Sequence, residues 1–190
     1  MLQESQIESI VQQVMSELRQ GERVRHGPMP EPPPPDRPPA APAPLKHASS
    51  LFPDVDGAVQ AAEQAFQQLH ELPLALREQM ISHIRRISRE HAQLLAGEAV
   101  QETGMGRMED KTEKNLLNAN KTPGTEFLPP TVWTGDGGLT LVEFAPFGVI
   151  GSIIPSTNPT STVICNTIAM VAAGNAVVFN AHPGAKGCSN

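Results

Sequence analysis

The order of apolar and polar positions predicts a strand, a helix and a second strand late in the chain. An apolar run at residues 149–154 ends at the polar turn 155–158, and a second apolar run covers residues 176–179. Pro159 suits the first position of a helix, and Gly174 suits the position just beyond its last turn. Apolar residues recur at helical spacing between them: Val163, Ile164, Ile168, Val171 and Ala172.

Two strands joined by one helix in this way are typical of a right-handed βαβ unit in a parallel sheet. Ligands of such sheets bind beyond the carboxyl ends of the strands. We therefore expect the functional site at residues 156–158 and 180–183. The first strand is not followed by a GxGxxG motif, so the usual dinucleotide fingerprint is absent.

Upstream of this unit, the pattern predicts three helices. Asp54 or Asp56 can cap the first, which carries one apolar face. The second is expected to run without interruption from Pro73 to a glycine cap at Gly104. The third covers residues 109–120, and we interpret the charged run at its start as a solvated surface.

Residues 127–144 predict a β-hairpin, because two apolar runs flank the turn signal Thr134-Gly135-Asp136-Gly137-Gly138. The glycines lie between strands rather than before a helix. We therefore do not interpret them as a nucleotide-binding loop.

Residues 1–20 predict an amphipathic helix with a single apolar stripe, formed by Ile7, Ile10, Val11, Val14, Met15 and Leu18. A helix this short is marginal alone in water, so the stripe is expected to pack on its own domain, on another copy or in a partner's groove.

More than half of the 19 prolines lie between Pro28 and Pro44. Residues 21–50 therefore predict an extended linker, favoured as a passive spacer over a ligand for an SH3-like partner.

Charge and cysteine content narrow the class of protein. The net charge of -6, without a basic cluster, argues against a nucleic-acid surface. The two cysteines do not form a disulfide framework: Cys165 is interpreted as a buried small hydrophobe, and Cys188 has no histidine in an obvious activating arrangement. We find no metal-ligand spacing, membrane span or secretory signal, and expect a cytoplasmic protein.

Several motifs then point to a known family. In chain order they are ETGMGRMEDKTEKN, TPGTE, TGDGGLTLVEFAPFG, IIPSTNPT, AAGN and HPGAK. Together they resemble the aldehyde dehydrogenase superfamily, in particular its coenzyme-A-acylating branch, the propionaldehyde and acetaldehyde dehydrogenases of bacterial microcompartments.

The resemblance implies an α/β fold with four segments. Residues 1–20 are a targeting helix and 21–50 a Pro-rich linker. Residues 51–147 form N-terminal helices and an oligomerisation hairpin, and 148–190 begin a Rossmann-like NAD-binding domain. The chain is then expected to be the N-terminal part of a longer enzyme.

The resemblance also implies a reaction. A cysteine thiolate attacks a short aldehyde, propionaldehyde or acetaldehyde; hydride passes to NAD; and the acyl group is transferred to coenzyme A. The nucleophilic cysteine is expected beyond residue 190, so these residues alone are expected to be inactive. Partners implied are the aldehyde, other copies in a homo-oligomer and a microcompartment shell protein bound through residues 1–20, inside the bacterial cytoplasm.

By the same resemblance, the cofactor is lined by Ile154, Pro155, Ser156 and Thr157, while Asn180, His182 and Pro183 lie near its adenosine ribose. Asn180 and Pro183 replace the lysine and glutamate usual in the superfamily, so NADP is not excluded.

The developing oxyanion needs a donor, worth roughly 3–4 kcal/mol. Thr157 is in register with the family's asparagine, whereas Asn158 has the better chemistry; alternatively, Asn158 only caps the following helix. Two other hypotheses stay open for the chain as a whole: a non-catalytic shell-binding adaptor with a vestigial domain, and a general NAD-binding module.

Overall fold

The computed structural model describes residues 51–190; the predicted shell-binding helix and the linker lie outside them. The elements, in chain order, are α1 (Val55–His70), α2 (Leu74–Glu90), α3 (Ala92–Thr103), α4 (Met108–Lys121), β1 (Thr131–Gly135), β2 (Gly138–Val142), β3 (Val149–Ile154), α5 (Pro159–Ala172), β4 (Ala176–Ala181) and α6 (Lys186–Ser189). The predicted α/β fold, with helices and a hairpin before a βαβ unit, is confirmed. Within this part of the chain, each helix is too short or too polar to cross a bilayer.

Local capping signals account for several helix ends. The Asp54 side chain accepts a hydrogen bond from the Gly57 N–H at 2.7 Å, so Asp54 rather than Asp56 caps α1. Gly104 ends α3 with a φ of 67°, a left-handed conformation that favours glycine.

The single helix predicted from Pro73 to Gly104 is wrong. The chain leaves helical geometry at His91, which has φ -104° and ψ 6°, and α2 and α3 are separate helices. Buried positions continue in phase across the break, at Ser88, Ala92 and Ala96. Periodicity therefore cannot locate it.

The main core lies where α2, α4 and α5 meet. Its buried members are Ile81, Ala119, Ile164, Ile168 and Ala172. A second, smaller cluster joins α3 to the chain after β4 through Ala99, Ala185 and Cys188. The main cluster is formed mostly by isoleucine, whereas the second consists of small residues only.

The βαβ unit has the predicted parallel pairing. β3 and β4 pair from Val149 opposite Ala176 to Ile154 opposite Ala181, so their carboxyl ends lie side by side. β4 extends two residues beyond the predicted run. Gly174 follows α5 with a φ of 80°, as its predicted position requires.

The predicted hairpin is also present. β1 and β2 pair antiparallel, with Asp136 and Gly137 at the turn. Every residue of both strands is exposed, and Trp133 is 58% exposed. Its role in oligomerisation stays a prediction.

Candidate functional site at the carboxyl edge of the parallel strands

The two loops predicted to form the site lie next to each other. The His182 N–H donates to the Ile154 carbonyl at 3.0 Å, which continues the strand pairing past its last residues. Residues 155–158 follow β3, whereas the predicted second loop begins inside β4: Asn180 and Ala181 are the last two residues of that strand, and 182–183 follow it. Both segments therefore lie at one edge of the sheet. This is the edge at which open parallel sheets bind their ligands.

The side chains predicted to line a cofactor differ in exposure. Ile154 is fully buried, and its carbonyl accepts the hydrogen bond from the His182 N–H. It therefore supports the loop from the core side. Of the other predicted residues, Ser156 is half-buried. The remaining ones are exposed: Pro155, Thr157, Asn180, His182 and Pro183.

The imidazole of His182 has a local structural contact. Its Nδ1 accepts a hydrogen bond from the Gly184 N–H at 3.0 Å and closes the short turn Pro183–Ala185. Because Nδ1 is an acceptor, the neutral ring carries its proton on Nε2. That nitrogen is the one available to donate.

Asn158 occupies the N-cap position of α5, but its side chain does not cap the helix. The Asn158 carbonyl instead accepts the first helical N–H, from Thr162, at 3.1 Å. The side-chain Oδ1 accepts from Lys114 Nζ at 2.7 Å, and Nδ2 lies 3.4 Å from Thr157 Oγ1. The prediction that the side chain only caps α5 is therefore wrong. Both oxyanion candidates lie in the turn, where Asn158 Nδ2 donates to Thr157 Oγ1.

The interpretation of the charged run in α4 as a solvated surface is wrong for one of its lysines. Lys111 is only 7% exposed, and its Nζ donates to the Thr157 carbonyl at 2.8 Å. Burial, together with the nearby charge of Lys114, lowers the pKa of Lys111. Sequence reasoning missed both lysines as neighbours of the site.

A buried polar chain fixes α4 against α5 and α3. The Thr160 hydroxyl donates to Asn115 Oδ1 at 3.0 Å, and Asn115 Nδ2 donates to the Ala92 carbonyl at 3.0 Å. Asn115 is 1% exposed, so these bonds satisfy an amide that would otherwise be buried at a cost. Lys114 and Asn115 lie three and four residues after Lys111, which places all three side chains on one face of α4. This spacing is the sequence signal that could have indicated the packing.

The two cysteines differ in burial, and Cys188 is not an activated nucleophile in this arrangement. Cys165 is half-buried on α5, not buried as predicted. Cys188 is buried; desolvation, and then the carboxylate of Glu102, raise its pKa to about 11. The Cys188 thiol is therefore protonated at neutral pH. Between residues 51 and 190, no cluster of three or more His, Cys, Asp or Glu side chains could hold a metal ion.

Comparison with known proteins identifies the family. The sequence profile of the aldehyde dehydrogenase family matches residues 43–189. The chain belongs to the aldehyde dehydrogenase family.

Curated relatives of this aldehyde dehydrogenase chain are CoA-acylating enzymes. The CoA-propanoylating propanal dehydrogenase of Citrobacter freundii is 50% identical over 141 residues, 74% of this chain and 31% of that protein. The acetylating acetaldehyde dehydrogenase of Salmonella typhimurium LT2 is 52% identical over 145 residues, 76% of this chain and 31% of that protein. The chain spans about a third of the length of these relatives.

Solved structures agree. The propionaldehyde dehydrogenase of the Clostridium phytofermentans fucose utilisation microcompartment is 52% identical, with a TM-score of 0.72 over 74% of this chain and 32% of that one. A Rhodopseudomonas palustris propionaldehyde dehydrogenase with bound propionyl-CoA is 46% identical, with a TM-score of 0.72 over 75% and 32%. An engineered glycolyl-CoA reductase with bound NADP+ is 47% identical, with a TM-score of 0.68 over 70% and 31%. The resemblance read from the motifs is confirmed.

Proposed function

We propose that this aldehyde dehydrogenase chain is the N-terminal part of an NAD-dependent, CoA-acylating enzyme that converts propionaldehyde or acetaldehyde to its acyl-CoA. The supporting observation is the adjacency of the two loops at the carboxyl edge of β3 and β4, joined by the His182–Ile154 hydrogen bond. Relatives that act on these aldehydes share half of the residues of the matched part.

In this proposal the two loops bind the dinucleotide. The backbone of residues 155–157 and the exposed side chains at the end of β4 and just after it line the cofactor, with Asn180, His182 and Pro183 toward the adenosine ribose. The neutral amide of Asn180 can exchange hydrogen bonds with ribose hydroxyl groups. Titration with NADH and NADPH measures the preference, and stronger binding of NADPH would correct the assignment of the cofactor.

The turn also supplies the donor for the oxyanion. Asn158 Nδ2 and Thr157 Oγ1 lie 3.4 Å apart and both can donate. Loss of a donor to a developing oxyanion costs about 100-fold to 1,000-fold in kcat. Comparison of Asn158→Ala with Thr157→Val in an active enzyme therefore decides between them.

We propose further that residues 1–190 do not turn over by themselves, because the enzyme's nucleophile is neither Cys165 nor Cys188. Cys188 is buried and held protonated, and Cys165 lies on the helix that follows the turn. Thiolate attack requires an accessible cysteine with a lowered pKa.

The test is reduction of NAD with propionaldehyde and coenzyme A. Residues 1–190 alone are expected to be inactive. The same residues joined to the remaining part of the Citrobacter freundii relative are expected to be active, and Cys165→Ala and Cys188→Ala are expected to keep that activity. Turnover by residues 1–190 alone would contradict the assignment of the nucleophile. A folded chimera that binds no NAD would contradict the function, and would favour the non-catalytic adaptor.

Residues 1–20 are proposed to direct the enzyme to a microcompartment shell in the bacterial cytoplasm. The apolar stripe in the sequence supports this, as does the microcompartment origin of the Clostridium phytofermentans relative. Ile10→Asp combined with Val14→Asp is expected to abolish co-sedimentation with shells, whereas Gln12→Asp, between them in sequence and off the stripe, leaves it unchanged. Equal sedimentation of both variants would contradict the proposal.

A homo-oligomer built through the exposed hairpin is the expected assembly of the complete enzyme.

A further inference from the structure

Two lysines of α4 reach the turn that follows β3. Lys111 Nζ donates to the Thr157 carbonyl at 2.8 Å, and Lys114 Nζ donates to Asn158 Oδ1 at 2.7 Å. Residues three apart lie on the same face of a helix. One helical turn of α4 therefore binds two consecutive residues of the loop after β3, Thr157 and Asn158.

Helix stability does not account for this placement. The N-terminus of α5 carries a partial positive charge, so two ammonium groups beside it are electrostatically unfavourable. Lys111 is in addition largely removed from water. The Asn115–Thr160 hydrogen bond already joins the two helices without a charge.

The bond from Lys114 fixes which way the Asn158 amide faces. An ammonium group has only donors, so the atom facing it must be the amide oxygen, and Nδ2 turns toward Thr157 Oγ1. A hydrogen bond from a cation also polarises the amide and makes its N–H groups stronger donors. Lys111 holds the peptide immediately before it.

We propose that Lys111 and Lys114 are positioning residues that hold the turn and present the N–H groups of Asn158 to the reacting centre. The last step, delivery of those N–H groups to an oxyanion, rests on the proposed function. The orientation of the amide does not, and it can be measured separately.

The first measurement uses the 15N-labelled chain of residues 1–190. The side-chain amide signals of Asn158 are assigned by their loss in Asn158→Ala. Lys114→Met is expected to shift these signals, and Lys114→Arg, which keeps a charged donor, is expected to restore most of the original position. Lys121→Met is the matched control, because it removes the same charge from an exposed position of the same helix. Signals that do not move in Lys114→Met, or that move equally in Lys121→Met, would overturn the proposal.

The second measurement does not depend on the spectra of the short chain. In the active chimera, Lys114→Met is expected to lower kcat between about 10-fold and 100-fold, as for the loss of a charged hydrogen bond, with little change in the KM for NAD. In an Asn158→Ala background the same change is expected to have little further effect. Additive losses in the double variant would overturn the action of Lys114 through Asn158. If Asn158→Ala keeps full activity, while the amide signals of Asn158 in the unaltered chain still respond to Lys114→Met, the orientation stands and the oxyanion role fails.

Discussion

Replacement of Asn175 by alanine tests what joins the amino ends of β3 and β4. Asn175 is 2% exposed and lies just before β4. Its Oδ1 accepts from the Phe147 N–H at 2.6 Å and from the Gly148 N–H at 3.0 Å. One side-chain oxygen therefore holds the residues just before β3, next to the backbone bond from Ala176 N to the Gly148 carbonyl at 2.9 Å.

The magnitude follows from the two N–H groups that alanine leaves without an acceptor. The bond to Gly148 is buried, and an unsatisfied buried donor costs about 1–3 kcal/mol. The bond to Phe147 is partly open to water, so only its net value of about 0.5–1.5 kcal/mol is lost. We expect Asn175→Ala to lower the free energy of unfolding by about 1.5–4.5 kcal/mol, a large part of the 5–15 kcal/mol typical of a domain.

The assay is urea unfolding of residues 1–190, followed by circular dichroism. Asn120→Ala is the control, because Asn120 is exposed and its contact with Arg89 is long, at 3.4 Å. The control is expected to stay within about 0.5 kcal/mol of the original chain. A loss of the same small size in Asn175→Ala would refute the reasoning, since the two N–H groups would then have found water or another acceptor.

Three further predictions follow from local geometry. Gly174→Ala is expected to lower the free energy of unfolding by about 1–2 kcal/mol in the same urea assay, because φ is 80° at this position. Adding Arg77→Ala removes the guanidinium that lies 3.2 Å from the new Cβ, but it should not recover the loss caused by the backbone conformation. At neutral pH, iodoacetamide should modify Cys165 faster than Cys188, as seen by mass spectrometry; faster labelling of Cys188 would contradict its raised pKa. Backbone N–H groups lower the pKa of Glu102 below 4.5, so its stabilisation is complete above 4.5 and lost as the pH falls through the lower folded pKa. The Tm difference between the original chain and Glu102→Gln should therefore shrink as the pH falls below 4.5, and a constant difference would contradict the assignment.

Much of the βαβ unit could be predicted because its signals are local. Pro159 and Gly174 act through their own backbone geometry, and β3 is an apolar run interrupted only by Ser152. Once two strands are joined by one helix, parallel pairing puts both carboxyl ends at one edge. The errors arose where packing decides. A one-residue break at His91 keeps the buried positions in phase, and Cys165 lies on a part of α5 that its neighbours only half cover.

The chain alone therefore determined the strands, most of the helices and the edge at which the candidate site lies, since these depend on residues a few positions apart. Tertiary structure alone decided which side chains distant in sequence meet, at the candidate site and elsewhere. Lys111 meets Thr157 across 46 residues, and Glu102 meets Cys188 across 86. A charged side chain on a helix looks like solvated surface until the neighbouring element is in place, because its burial and its partner are properties of the packing rather than of the local sequence.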